Sequence, residues 1–459
     1  MSAGQQGIKR KAQPEGSSPV GHDKKKIKID DGEEDNPGLE QSKIRDDART
    51  HDDYTVAWIC ALEVEQIAAI LMLDEEHPRL PQPQTDHNAY TLGSIFGLNV
   101  VIAGLLGAGN ISAAIVVAQM VNTFPRLRFS RLVGIGGGVP VRTDEGYIQL
   151  GHVVPLYSTT TARPTQENFE GPDSWLPPPN VLLNAARQMS IVRQLAPTDS
   201  LVAHLQRIDT SRRQLRRYRY PGVQEDRLYQ PDYVHLDRAT SCSQCGCDSK
   251  KMIARDPEDR DGEIGADGSV EYIVVHRGTI AGGEKVMRYD IERDLLARDL
   301  EVLCFKMEAA GALNDFPCLV IRGISDYSDS HKNDKRHGYA AAVAAAFARE
   351  LFKHMPVDEM TQCKIPESVL KQIAADSRFV TSTTRKAKVF EWLAPPDFST
   401  NYSQAYALHH PGTGRWLLES ERYQQWKSLK DVVLWLHGGS GCGKTVLSSA
   451  IITDLLAAS

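Results

Sequence analysis

No apolar run of about 18 or more residues occurs in the chain, so a hydrophobic membrane-spanning helix is not expected. The N-terminus has no signal-peptide core. Positive charge is not in excess: the formal net charge is −6, which gives no general case for nucleic-acid binding. Cysteine is sparse, with eight residues spread over 459 and no secretory signal, which argues against a disulfide scaffold and for a reduced, intracellular protein. No internal repeat is evident, so a solenoid is not expected. What remains is ordinary globular composition, 41% hydrophobic and 24% charged, at a length sufficient for two or three domains.

Residues 1–50 hold few large apolar side chains and several charge blocks, the composition of a disordered tail. Within it, basic clusters at Lys9–Lys11 and Lys24–Lys28 are separated by 12 residues and read as a bipartite nuclear-import signal. Localisation is therefore expected to be cytoplasmic, nuclear or both. From Tyr54 the texture changes. The runs "YTVAWIC", "NVVIAGL" and "RLVGIGG" read as buried strands, and "LEVEQIAAILML" and "GAGNISAAIVVAQMVNTF" as helices. This alternation predicts an α/β unit over 54–355 with a mixed, largely parallel central sheet. Residues 198–268, rich in Arg, Asp, Tyr and Cys, break the pattern and read as an irregular insertion. Residues 356–400 read as a linker, and 401–459 as the start of a second unit.

Three acids stand at the ends of predicted strands, where open α/β sheets bind ligands. They are Glu65 after the first strand, Glu308 in "FKMEAAG" and Asp326 in "IRGISD". Glycine turns are expected at "GAGN" and at "GIGGG", which contains Gly136 and Gly137. In order, "ALEVE", "GLLGAGNISAA", "VGIGGG", "KMEAAG" and "VIRGISDYSD" resemble the nucleoside phosphorylase and nucleosidase family. The likeness extends in particular to its methylthioadenosine/adenosylhomocysteine and nucleotide nucleosidases. It covers roughly 54–355, less the insertion, and implies a three-layer nucleoside phosphorylase-like fold.

The resemblance also implies roles. Asp326, oriented by Ser325, protonates N7 of the departing purine; that task needs a carboxyl holding its proton near neutral pH, which burial can provide. Glu308 accepts from the ribose hydroxyls, with Met307 lining the sugar, Val286 reading the purine and Arg322 near the sugar end. Glu65 activates water. The expected ligand is a purine nucleoside or nucleotide, in a homo-oligomer, with no specific nucleic-acid partner. No cofactor and no metal are expected for this unit. Lys306 and His152 stand where relatives usually carry acids, which keeps a non-catalytic sensing module open. Leu132 and Ile135 stand where the bacterial-type phosphorylases have an arginine and a hydroxyl, which favours hydrolysis over phosphorolysis. Arg131 is the nearby residue that could swing in to bind phosphate. The basic stretch "RIDTSRRQLRRYRYPG" reads as a solvated face or as a contact for 5′-phosphates.

Two motifs remain. "GGSGCGKT" has the phosphate-loop spacing at Gly438, Gly443, Lys444 and Thr445, after the strand-like "VVLWLH" and before a helical run. Its upstream segment resembles what precedes the NACHT domain of fungal NOD-like receptors. The chain stops 15 residues after Lys444, as an effector half, an early-stopping product or a truncated gene model would. Mg²⁺ and ATP or GTP would matter only in a complete P-loop domain, and no NTP hydrolysis is expected from these residues. The second motif, "SCSQCGCDSK", packs Cys242, Cys245 and Cys247 together. A Cys-x-x-Cys is half of a zinc site, but no second pair follows at ribbon spacing. His235 and His276 could complete a site only if the fold brings them in; otherwise the segment is a loop.

Overall fold

A computed structural model describes residues 49–105, 110–156, 169–170, 178–235, 240–255, 263–283, 287–306, 318–332 and 334–355. Toward the C-terminus it describes 405, 408–410, 412–428, 433–439 and 441–458. The basic clusters of the tail lie outside these residues, as do the first three residues of the "GAGN" turn and the segment 356–400.

The first strand, β1 (Val56–Cys60), is buried along its whole length. Its side chains alternate between two cores. Val56, Trp58 and Cys60 enter one, while Ala57 and Ile59 enter the other. A strand buried on both faces is the centre of a three-layer unit. After β1 come α1 (Glu63–Leu71), β2 (Glu75–His77), β3 (Tyr90–Ile95), β4 (Leu98–Gly104), α2 (Asn110–Thr123) and β5 (Phe129–Gly138). A small hairpin, β6 (Arg142–Thr143) and β7 (Gly146–Tyr147), precedes β8 (Val153–Pro155) and β9 (Phe169–Glu170). Next are α3 (Asn180–Leu195), α4 (Ser200–Leu205), α5 (Cys242–Cys245), β10 (Thr279–Gly283), α6 (Asp290–Leu300), β11 (Val302–Lys306), β12 (Cys318–Asp326) and α7 (His337–Lys353).

The α/β expectation holds, and the sheet is mixed. β4, β1, β5 and β12 run parallel through its middle, and β10 pairs parallel with β11. Antiparallel pairs join β2 to β3, β3 to β4, β11 to β5, β12 to β8 and β10 to β9. Parallel pairing is thus less dominant than the alternating pattern suggests. The outer strands are short or hairpin-linked, and neither arrangement needs a crossover helix.

Alanine explains how the layers approach. In α7 every residue from Gly338 to Phe352 is buried, so this helix is enclosed on all sides. It meets β12 so closely that a Cβ at Gly323 would collide with the Ala340 carbonyl oxygen and lie 2.7 Å from the carbonyl carbon. Backbone on both sides cannot yield as a flexible side chain would. Gly323→Ala is expected to destabilise the protein by about 1–3 kcal/mol or more, read as a lower denaturation midpoint. An unchanged midpoint would mean that α7 can shift freely.

Candidate active site

β5 carries the site because its glycines let other groups reach its backbone. The "GIGGG" run is not a turn, as the sequence suggested, but the C-terminal half of this strand. At Gly134 a Cβ would collide with the Glu65 carboxylate and lie 2.6 Å from Arg322 Nη1. At Gly137 it would lie 2.8 Å from Asp326 Oδ1 and collide with Ser328 Oγ. Gly136 is pressed by the Cys304 sulfur.

Glu65 sits in the first turn of α1 and is buried. Its Oε2 accepts from the Ala61 and Leu62 N–H groups at 2.7 and 2.9 Å. Its Oε1 accepts from Ile135 N at 2.7 Å, with Arg322 Nη1 at 3.9 Å. Fully buried Arg322 also donates to Ile135 O at 3.2 Å. The carboxylate therefore joins the helix N-terminus to β5 and presents a fixed anion beside the glycine run.

Asp326 ends β12, beside Gly137. Ser325 Oγ lies 2.8 Å from its Oδ2 and 3.3 Å from Gly136 O, and Ser328 N donates to Oδ1 at 3.0 Å. Lys332 Nζ lies 2.9 Å from Oδ2. Burial pushes this carboxyl up, but the Lys332 ammonium and these hydrogen bonds outweigh it and hold the pKa below the ordinary value. The expectation of an Asp326 that keeps its proton near neutral pH is therefore corrected: without ligand it is a carboxylate. A neighbouring carboxyl with the opposite shift is Asp329. Burial pushes it up to about 6, against the pull of Arg293 and with a smaller push from Asp326. Two carboxyls with separated pKa values now line one small cavity, with Ser325, Tyr229, His331, Arg227 and Cys242. A larger cleft of about 1140 Å³ runs between the β6–β7 hairpin and α6 and contains none of the predicted site residues.

Lys332 and Asp329 are functional candidates that sequence reasoning missed. They stand in the loop after β12, where no periodicity reports on neighbours. Glu308, Met307 and Val286 lie outside the described residues. Lys306 is the buried last residue of β11. His152 is buried away from the cavity: its Nδ1 meets His276 Nε2 at 2.8 Å and its Nε2 meets Glu263 at 3.2 Å. Arg131 points into the core, donating to Ala348 O at 3.3 Å, stacked 3.6 Å from the Phe352 ring and touching the Met355 sulfur. Reaching the site would require it to leave those contacts. In the basic insertion, Arg217 pairs loosely with Glu63 at 3.7 Å, exposed, and none of its arginines up to Arg219 lines the Asp326 cavity.

In the C-terminal segment, α8 (Arg415–Leu418) and α9 (Glu421–Ser428) precede α10 (Lys444–Ala458). Tyr423 and Lys427 bind Asp454 at 2.6 and 2.7 Å, tying α9 to α10. Gly441 and Gly443 take positive φ, and Lys444 at the start of α10 donates to Gly438 O and Gly439 O at 2.9 and 2.6 Å. Thr445 follows in the first turn. The predicted strand before the loop is not formed: residues 433–437 pair with no strand among the described residues, and Val433 and Trp435 are exposed. A P-loop strand needs sheet neighbours on which to ladder. Among the described residues no helix is long and apolar enough to cross a membrane.

Residues 412–459 match the family "Nephrocystin 3, N-terminal". The chain is 32% identical over 386 residues to a nucleotide-binding leucine-rich repeat (NLR)-like protein of Hyaloscypha variabilis, an overlap of 82% of this chain and 37% of that protein. It is 35% identical over 89 residues to the ATP nucleosidase Cap17 of Escherichia coli, covering 18% of this chain and 17% of that one. The chain thus spans well under half the length of these relatives. Among solved structures, it is similar to futalosine hydrolase of Helicobacter pylori at 12% identity, covering 66% of this chain and 99% of the other, with a TM-score of 0.40. It is also similar to a methylthioadenosine/adenosylhomocysteine nucleosidase of Neisseria meningitidis in complex with methylthio-immucillin-A, at 17% identity, 65% and 98% coverage and a TM-score of 0.40.

Proposed function

From a chain that joins a nucleoside phosphorylase-like α/β fold to a Nephrocystin 3, N-terminal segment and is homologous to an NLR-like protein, we propose an N-glycosidic hydrolase. Its substrate is a purine nucleoside or nucleotide, and it serves as the effector unit of a receptor-like protein. The observation that carries this reading is the pair of buried carboxylates, Glu65 and Asp326, set against the one glycine-rich strand β5. In this reading Glu65, fixed by three backbone N–H groups, takes a proton from attacking water. A negative charge beside the sugar stabilises the developing oxocarbenium ion. Glu308 is assigned to the ribose hydroxyls. Asp326 faces N7 of the base, and the proton reaches it from its neighbours Lys332 or Asp329. Arg131 is engaged with Ala348, Phe352 and Met355 in the core, which favours hydrolysis over phosphorolysis.

The test is incubation with a panel of purine nucleosides and nucleotides, with and without inorganic phosphate. Free base and a free sugar or sugar phosphate are expected without phosphate. Phosphate-dependent formation of ribose 1-phosphate would put the phosphorylase first. The Asp326–Lys332 ion pair favours one further reading, a non-catalytic sensor that binds a purine ligand by its basic edge. Saturable binding with no base release from any member of the panel would select it.

A further inference from the structure

Three thiols and an imidazole that the reaction does not use are gathered beside the cavity. The single turn α5 ends at Gly246, whose φ of 72° reverses the chain, and Cys247 N then donates to Cys242 O at 3.0 Å. The reversal brings Cys245 Sγ to 3.4 Å from Cys247 Sγ, while Cys242 is hydrogen-bonded to Cys247. From the preceding segment, His235 places Nδ1 3.1 Å from Cys247 Sγ and 3.5 Å from Cys245 Sγ. Its other nitrogen, Nε2, meets Thr240 O at 3.0 Å. A carbonyl can only accept, so the proton is on Nε2 and the Nδ1 lone pair faces the sulfurs. This is the outer-shell arrangement that metal-binding histidines use. The cysteines are free thiols, not a disulfide.

We infer that His235, Cys242, Cys245 and Cys247 hold a structural zinc ion. Thiolates with one imidazole select a soft or borderline cation over Mg²⁺ or Ca²⁺, and four protein donors close the coordination sphere. Bonds of about 2.0–2.3 Å to a tetrahedral ion put donors about 3.3–3.8 Å apart, and His235, Cys245 and Cys247, at 3.1–3.5 Å from one another, need to open by only a few tenths of an ångström, with Cys242 closing in as the fourth donor. Binding displaces the three thiol protons to solvent, with no change of oxidation state. The sequence left His235 and His276 as possible partners; the fold brings in His235 and engages His276 with His152.

The ion has a place in the site as well. His235 N donates to Ser330 Oγ at 2.9 Å, and the His331 ring lies 5.4 Å from the His235 ring and stacks on Tyr229 at 4.0 Å. Ser330 and His331 belong to the loop that carries Asp329 and Lys332. Zinc therefore fixes the cavity wall that positions both. This consequence rests on the hydrolase reading, whereas the metal site does not.

Metal content of the full chain, grown with zinc and purified reduced without chelator, tests the inference. About one zinc per chain is expected. Cobalt substitution should give a thiolate charge-transfer band and tetrahedral ligand-field bands. Cys242→Ser, Cys245→Ser and Cys247→Ser should lose the bulk of the zinc, while His276→Gln should keep it. A wild-type chain that holds no zinc and takes up neither ion overturns the site, as does zinc retained in all three serine variants. Zinc lost in His331→Asn but kept in Cys242→Ser overturns the ligand set. Because the wild-type content and cobalt spectrum stand alone, misfolded variants leave the test intact. If base release fails for wild type while zinc is present, the hydrolase reading falls and the metal site remains.

Discussion

Asp326→Asn is expected to lower purine base release by roughly two or more orders of magnitude with substrate still bound, the scale of a lost general acid. An amide keeps the shape and can still accept from Ser328 N, but it cannot pass a proton to N7. Lys332 sharpens the test. With wild-type lysine, Asp326 ionises below the usual carboxylate range. In Lys332→Met burial is opposed only by the Ser325 and Ser328 hydrogen bonds, so the Asp326 ionisation should move to higher pH in the profile of kcat/KM, which reports the free enzyme. Asp329→Asn separates the two carboxyls. If Asp329 supplies the proton, wild-type turnover falls as pH rises through about 6, where this group ionises, and the variant loses that limb. Wild-type turnover in Asp326→Asn would remove Asp326 from the chemistry altogether.

Glu65→Gln is expected to have a second effect of comparable size, about two orders of magnitude or more on base release. It also carries a structural cost. The carboxylate accepts from three backbone N–H groups using both oxygens. Glutamine has one accepting oxygen, so its NH₂ must face either Ile135 N or the Ala61–Leu62 pair. A buried donor left unmatched costs about 1–3 kcal/mol. Turnover and denaturation should therefore be measured on the same preparation. A folded Glu65→Gln protein with wild-type turnover would show that Glu65 is only a clasp between α1 and β5.

Where the sequence was readable, it was readable for a physical reason. Val56–Cys60 is a short β-branched and aromatic run ending in a helix start, and no other element fits it. The alanine run 340–346 has helical propensity and no charge, which suits the enclosed helix it forms. Asp326 at a strand end, followed by Ser328, could be singled out as a candidate acid, but its protonation could not be read. That depends on Lys332, six residues on through a loop whose path only the fold defines. The glycines of β5 were assigned to a turn, because glycine signals crowding and reversal alike and the sequence does not say which. "VVLWLH" failed in the opposite way: its apolar pattern suits a strand, but a strand exists only where neighbours supply its hydrogen bonds. For the thiol cluster, spacing suggested half a metal site; the tautomer of His235, fixed by Thr240 O, supplied what spacing could not.

The fully enclosed helix α7 bears on how a protein of this kind can diversify. With every residue from Gly338 to Phe352 buried and the strand backbone in direct contact, any enlargement displaces the sheet that aims Arg322 and Asp326. Inherited change there is expected to be confined to exchanges of equal volume. Glu225, Arg227 and Ser241 line the cavity without belonging to the hydrophobic core, so substitution at these positions leaves the central strands in place. The lining of the cavity can drift between lineages at the insertion while Arg322 and Asp326 stay where α7 holds them.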